Sequence, residues 1–311
     1  MLFFPYKLDA DLYRVPFLTV LVCLACVLVF VQQRSADSDY GQRIVQHCRS
    51  GIDPNLQAIL AQVSVDGERG GCVTTLLALR DASDRESMIA ALAVQPRDLV
   101  FYPDRAKDLE YKTAKLTQAV SDFDLAVPPP LTGELAYDPS RFDVVRMMTS
   151  TFAHASWSHL IGNLIFFFIF ASFVESAIGY VYYAVAFVVI AVAASLAYSY
   201  SVGASSEALP SVGLSGVVMG MLALITVLMP RARVRCFFWF LLFVRRFRIP
   251  LLLLAAWYVG WDIYSHYFGD RASNTNYVAH IGGAAAGFVI GLLFRLIHRD
   301  RMRELAAEMP H

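Results

Sequence analysis

Ser211-Val212-Gly213-Leu214-Ser215-Gly216-Val217-Val218-Met219-Gly220 opens an apolar run that continues to Pro230 and sets one serine between two glycines. Glycine carries no Cβ, so a backbone or a ligand can come close beside it. Taken alone, such a run reads as small residues that let membrane helices pack tightly. A nucleophile at Ser215 would instead sit near the end of a membrane helix, a few residues below the water line. The rest of the chain decides between packing and chemistry.

Of the 311 residues, 57% are hydrophobic and 17% charged, far from the soluble average. Several apolar runs reach the roughly 18 residues that a bilayer crossing needs. The chain therefore reads as an all-α polytopic membrane protein embedded in the lipid bilayer. Its formal net charge is zero, so no bulk charge argues for nucleic acid as a partner. Cys23 and Cys26 fall in an apolar run, where the spacing reads as small packing residues rather than a redox or metal pair. No cofactor and no metal site is expected. Cys48 and Cys72 fall in a polar segment, and an extracytoplasmic location for it would permit a disulfide between them.

Taken in order, residues 1–33 read as an interfacial lead-in, with Lys7 and Arg14 among aromatics, and a first span over 17–31. A basic start and a short apolar core also fit a cleaved signal peptide. The sequence Gln32-Gln33-Arg34-Ser35-Ala36-Asp37 has no small-x-small cleavage site, which favours a retained span. Residues 34–140 have the composition of a soluble insert. Leu56, Ile59, Leu60 and Val63 show helical spacing, and 105–120 reads as an amphipathic helix. Pro128-Pro129-Pro130 followed by Thr132-Gly133 reads as a stiff linker. No motif in the insert carries chemistry, and a docking or regulatory role with an unidentified partner is the reading left for it.

Five further spans are expected at 160–178, 181–202, 212–229, 249–268 and 277–297. They make a core over 141–298, with a basic tail at 299–311. Gly283, Gly287 and Gly291 recur every four residues on the last span, a close-packing pattern. Residues 234–247 are apolar but short and bracketed by arginines, so they are placed in the interface; a crossing there would invert everything that follows. Arg231, Arg233, Arg235, Arg245, Arg246 and Arg248 lie between the fourth and fifth spans, and Arg295, Arg299, Arg301 and Arg303 at the end of the sixth. With six spans these regions share a side with Lys7 and Arg14, and the positive-inside rule makes it cytoplasmic. The insert and the connections 203–211 and 269–276 then lie outside.

Ionisable and strongly polar groups within spans are functional candidates by default. Ser215 lies just inside the outer end of the fourth span and His280 just inside that of the sixth. His159 and Asn163, i and i+4 at the outer start of the second, share a helix face. Three spans thus bring a serine, two histidines and an asparagine to one depth. A serine hydroxyl becomes a good nucleophile when an adjacent base takes its proton, and histidine titrates in the right range. His159, Asn163 and the Ser215 N–H would supply donors to the developing oxyanion. No acidic residue is evidently placed to orient His280, so a Ser–His dyad is expected. Asp262 and His266, i and i+4 on the fifth span, are expected to pair with each other.

These motifs resemble the rhomboid intramembrane serine proteases: His154-x4-His159-Leu160-x2-Asn163, Gly213-Leu214-Ser215-Gly216, and Ala279-His280-x2-Gly283-x3-Gly287, with Arg146 and Val174-Glu175 also matching. The resemblance covers roughly 141–298 plus the first span. It implies a six-transmembrane-helix bundle with a membrane-embedded loop before the second span. It implies Ser215 as nucleophile, His280 as base, His159 and Asn163 at the oxyanion site, and His154, Gly213 and Met219 as accessory. Arg146 and Glu175 are implied to be structural supports. The implied substrate is a transmembrane segment of another protein, cut near the outer face of a bacterial inner membrane. Two positions depart from the family: Met219 stands where many members stack an aromatic on the catalytic histidine, and Val145 replaces a tryptophan. A rival reading is a catalytically inactive relative that binds membrane-protein clients. A transporter is disfavoured, because no inverted repeat is visible and the polar residues cluster toward one face rather than the midplane.

Overall fold

The computed structural model describes residues 2–9, 12, 14–65, 68–69, 71–82, 84–203, 209–240, 243–269 and 275–307. Two stretches used for orientation, 204–208 and 270–274, lie outside the described residues. The chain opens with strand β1 (Leu2–Leu8) and helix α1 (Phe17–Ser38). There follow α2 (Tyr40–Ser50), α3 (Pro54–Leu60), the two-residue strands β2 (Ser64–Val65) and β3 (Glu68–Arg69), α4 (Cys72–Asp81), α5 (Arg85–Ala93) and α6 (Arg105–Ala126). Next come α7 (Leu131–Leu135), α8 (Val144–Phe152), α9 (Trp157–Ile178), α10 (Tyr180–Val202) and α11 (Ser215–Leu228). The last elements are β4 (Arg233–Phe240), β5 (Phe243–Pro250), α12 (Leu251–Phe268), α13 (Tyr277–Ile297) and α14 (Arg299–Ala307). The chain divides into two compact units, residues 34–131 and the remainder, so residues 132–140, grouped with the insert on sequence, join the larger unit.

The smaller unit is a helical domain with its own core. Leu56, Ile59, Leu60 and Val63 are all buried, as their spacing predicts, together with Leu76, Leu79, Leu116, Val120 and Phe123. Helices α3, α5 and α6 begin on acidic caps, whose carboxylates satisfy amides that no helical carbonyl reaches. Asp53 accepts from Asn55 N and Leu56 N, Asp84 from Ser87 N, and Asp104 from Ala106 N. A Cys48–Cys72 disulfide, with Cα atoms 5.8 Å apart, ties α2 to α4. The expected stiff linker ends in the short helix α7.

In the larger unit, helices occupy all six segments where spans are expected. Among the described residues, four stretches are long and apolar enough to cross a membrane: a run that begins with α1 at Phe17, and helices α9, α10 and α13. Helix α11 is apolar but only 14 residues long, about 21 Å at 1.5 Å per residue, against a hydrocarbon core of about 30 Å. Every residue from Gly216 to Leu228 is buried, so α11 is a central post within the bundle, with Ser215 at its N-terminal end. Its tightest neighbour is α13. A Cβ at Gly283 would run into the Gly216 carbonyl, and one at Gly287 into the Gly220 carbonyl. That close approach is what the four-residue glycine repeat provides.

The all-α expectation needs one correction. Most of the described residues are helical, but residues 2–8, 233–240 and 243–250 form a three-stranded antiparallel sheet in the order β1-β4-β5, with Lys7 opposite Arg235 and Arg235 opposite Arg248. The physical reason is a period of two. In Arg233-Val234-Arg235-Cys236 the valine and cysteine are buried while Arg233 is exposed, the alternation of a half-buried strand. Asp9 closes the sheet ionically, its carboxylate 2.6 Å from Arg235 and 3.2 Å from Arg248.

Glu175, fully buried on α9, holds the start of α1. It accepts from Leu18 N at 2.8 Å, Thr19 N at 2.7 Å and the Thr19 hydroxyl at 2.6 Å. A carboxylate at a helix N-terminus meets both unsatisfied amides and the favourable end of the helix dipole. Arg146 lies 3.6 Å from Asp143, the residue that caps α8.

Candidate active site

The approach to α11 is pinned from three sides. Tyr137 and Ser211 exchange backbone hydrogen bonds at 2.9 Å in each direction. Gly213 N donates to Ser150 O at 2.8 Å, and Asn276 Nδ2 donates to Ser211 Oγ at 3.1 Å. Gly213 has φ +125°, in the region that favours glycine. That turn lets the chain arrive extended and start a helix two residues later, with Ser215 as its first residue. The oxygen of Asn276 meanwhile caps α13 by accepting from Ala279 N at 3.0 Å, which fixes the turn that carries His280.

Ser215 Oγ and His280 Nε2 are 2.8 Å apart, within reach for proton transfer from the hydroxyl. On the other side of the ring, His280 Nδ1 lies 3.0 Å from Asp262 Oδ2 on α12. Two sequence expectations change here. An acidic group does stand beside His280, and Asp262 is turned toward His280 rather than His266. Helical phase is the reason: Asp262 and Ser265 are buried on the inner stripe of α12, whereas His266 is exposed. The missed signal was depth. Asp262 and His280 lie within two turns of the helix ends that the connection after Phe268 joins.

A second group of side chains stands against Gly213. A Cβ on that residue would lie 2.7 Å from His159 Cε1, 2.8 Å from His159 Nε2 and 3.5 Å from Asn163 Nδ2. The absent side chain is the room those two residues occupy. Asn163 is buried, and its Nδ2 has no acceptor among the described residues. His154, 1% exposed, packs its ring edge-on against His159 with centroids 5.2 Å apart. Its Nδ1 is 3.1 Å from Phe152 O, and its backbone N donates to the buried Gln33 side chain at 3.0 Å. Burial, reinforced by the neighbouring His159, pushes the His154 imidazole down to about 4.

Met219 is buried on α11, one turn below Ser215. The ring that stands near His280 is Tyr277, edge-on with centroids 6.5 Å apart. No cluster of three or more metal-ligating side chains occurs among the described residues. Ser215, His280, His159, Asn163, His154 and Gly213 thus fall in one region; depth along the spans points to this for the first four alone.

Comparison with known proteins adds one finding. The model of the family described as the Rhomboid domain matches residues 141–297, just over half of the chain. No curated protein matches it.

Proposed function

Because this chain belongs to the rhomboid family, whose members are in general intramembrane serine proteases, we propose that it is an intramembrane serine endopeptidase that cleaves transmembrane segments of other membrane proteins. The observation that carries the proposal is the 2.8 Å contact between Ser215 Oγ and His280 Nε2. A serine held beside an imidazole nitrogen, at the first residue of a short, buried central helix, is a costly arrangement for packing alone.

In the proposed reaction the Ser215 hydroxyl attacks the scissile carbonyl of an unwound substrate segment while its proton passes to His280 Nε2. The oxyanion so formed is met by donors already in place: Asn163 Nδ2, His159 and the Ser215 backbone N–H. The tetrahedral species collapses as the proton on Nε2 moves to the leaving amide nitrogen. Water then attacks the acyl carbon as it gives a proton to His280 Nε2, and that proton passes to Ser215 Oγ as the ester bond breaks and the acid leaves. The unpartnered Asn163 Nδ2 beside Gly213 supports this assignment, since a buried donor without an acceptor is costly unless something transient uses it. The arginine distribution supports a site that opens toward the extracytoplasmic side of a cell membrane, with the insert also outside.

The test is cleavage of single-span reporter proteins co-reconstituted with the chain in liposomes. Cleavage by wild type and its loss in Ser215→Ala supports the reading. Co-purification of uncut reporters equally with wild type and Ser215→Ala would instead identify a client-binding protein without protease activity.

A further inference from the structure

We propose that Asp262 is a positioning residue for His280, so that the site works as a Ser215–His280–Asp262 relay in which the carboxylate selects the reactive form of the ring. This rests on the hydrolase reading above and deepens it.

A carboxylate within a membrane helix is expensive, and such a group is normally found where it has a specific partner. Asp262 is 8% exposed and stands in the inner stripe of α12 with Leu251, Leu254, Ala255 and Ser265. Around it the helix turns Trp257, Trp261, Tyr264 and Tyr267 outward. Its Oδ2 sits 3.0 Å from His280 Nδ1, while the opposite ring nitrogen faces Ser215 at 2.8 Å. The three side chains come from three different helices and meet in sequence, Asp262 to His280 to Ser215.

A neutral imidazole carries its proton on either nitrogen, and only the form with a bare Nε2 can take the serine proton. A carboxylate accepts hydrogen bonds and donates none, so at Nδ1 it holds the proton there and leaves the Nε2 lone pair aimed at Ser215. When Nε2 receives the serine proton, the ring becomes cationic and Asp262 remains an ionised acceptor beside it. The Nε2 proton then leaves to the amide nitrogen and the ring returns to its first form. The other polar and aromatic groups near His280 are Ser215 on α11, Tyr277 on its own helix and His159 on α9. None of them is an anion, so Asp262 alone supplies this preference among the described residues.

The experiment compares wild type, Asp262→Asn, Asp262→Glu and Ser215→Ala in one detergent preparation. It reads kcat and KM on a single-span substrate, the rate of fluorophosphonate labelling, and the His280 tautomer by nitrogen-15 NMR, assigned against His280→Gln. The Asn side chain keeps the size but offers an N–H to Nδ1, which favours the wrong tautomer. We expect kcat to fall about 10²–10⁴-fold with KM within about threefold. The His280 signal should move from the Nδ1-protonated toward the Nε2-protonated form, and Asp262→Glu should recover part of the rate. A merely structural role would change the unfolding temperature and leave the tautomer of the folded fraction alone. Unchanged labelling and tautomer in Asp262→Asn, with Ser215→Ala inactive, overturns this proposal and leaves the hydrolase reading standing. Wild type that does not label overturns the hydrolase reading and this proposal with it.

Discussion

The carbonyl of Gly216, the residue after Ser215, fills the space where a side chain at Gly283 would stand, three residues beyond His280 on the neighbouring helix. The spacing between nucleophile and base is therefore set by a contact between two backbones. Gly283→Ala should force α11 and α13 apart at this level. Overpacking of this kind costs about 1–3 kcal/mol, and a misplacement on the order of 1 Å can cost about 100-fold in rate. Thermal unfolding and the fluorophosphonate labelling rate are both expected to fall, with labelling affected in the fraction that remains folded.

Asn163 predicts the opposite separation of effects. Its Nδ2 has no acceptor among the described residues, so Asn163→Ala removes a donor that stabilises nothing in the resting protein. The unfolding temperature should hold or rise. If the amide meets the oxyanion, kcat should drop about 10²–10³-fold, corresponding to about 2.7–4 kcal/mol. Unchanged kcat would take Asn163 out of the oxyanion site.

His154 gives a pH dependence with a definite sign. Burial lowers its folded value to about 4, below the ordinary histidine value of about 6.5. As pH falls below that unfolded value, the unfolded chain takes up a proton that the buried ring refuses. The stability it contributes is whole above about 6.5 and is lost progressively down to about 4, reaching about 3 kcal/mol. Unfolding curves of wild type should therefore steepen their decline across this window, and those of His154→Phe should be flatter there.

The Cys48–Cys72 bridge closes a loop with a sequence separation of 24, for which chain entropy assigns about 3 kcal/mol. Cys48→Ser in the full-length chain should make residues 34–131 markedly more sensitive to limited proteolysis. Protease resistance equal to wild type would contradict a stabilising role.

Much of this architecture was legible as a pattern of apolar run lengths, and helices stand at all six expected positions. The matched depths of Ser215, His280, His159 and Asn163 were legible because a helix converts sequence position into height along its axis. The sheet was harder to see. Its alternation is present in residues 233–236, but its pairing is non-local: Asp9 and Arg235 stand 226 residues apart. Asp262 was misread because the i, i+4 spacing to His266 suggested a local pair, whereas burial turned its carboxylate inward to another helix. The pairing of the cysteines required a Cα separation that sequence does not contain.

Every proposed role at this site depends on Ser215 as the nucleophile. The deciding measurement is mass spectrometry of the purified full-length chain after reaction with a fluorophosphonate. It should find one phosphonylated residue, Ser215, with no adduct in Ser215→Ala and labelling slowed by at least about 100-fold in His280→Ala. Equal labelling of wild type and Ser215→Ala, or an adduct on another residue, would contradict it.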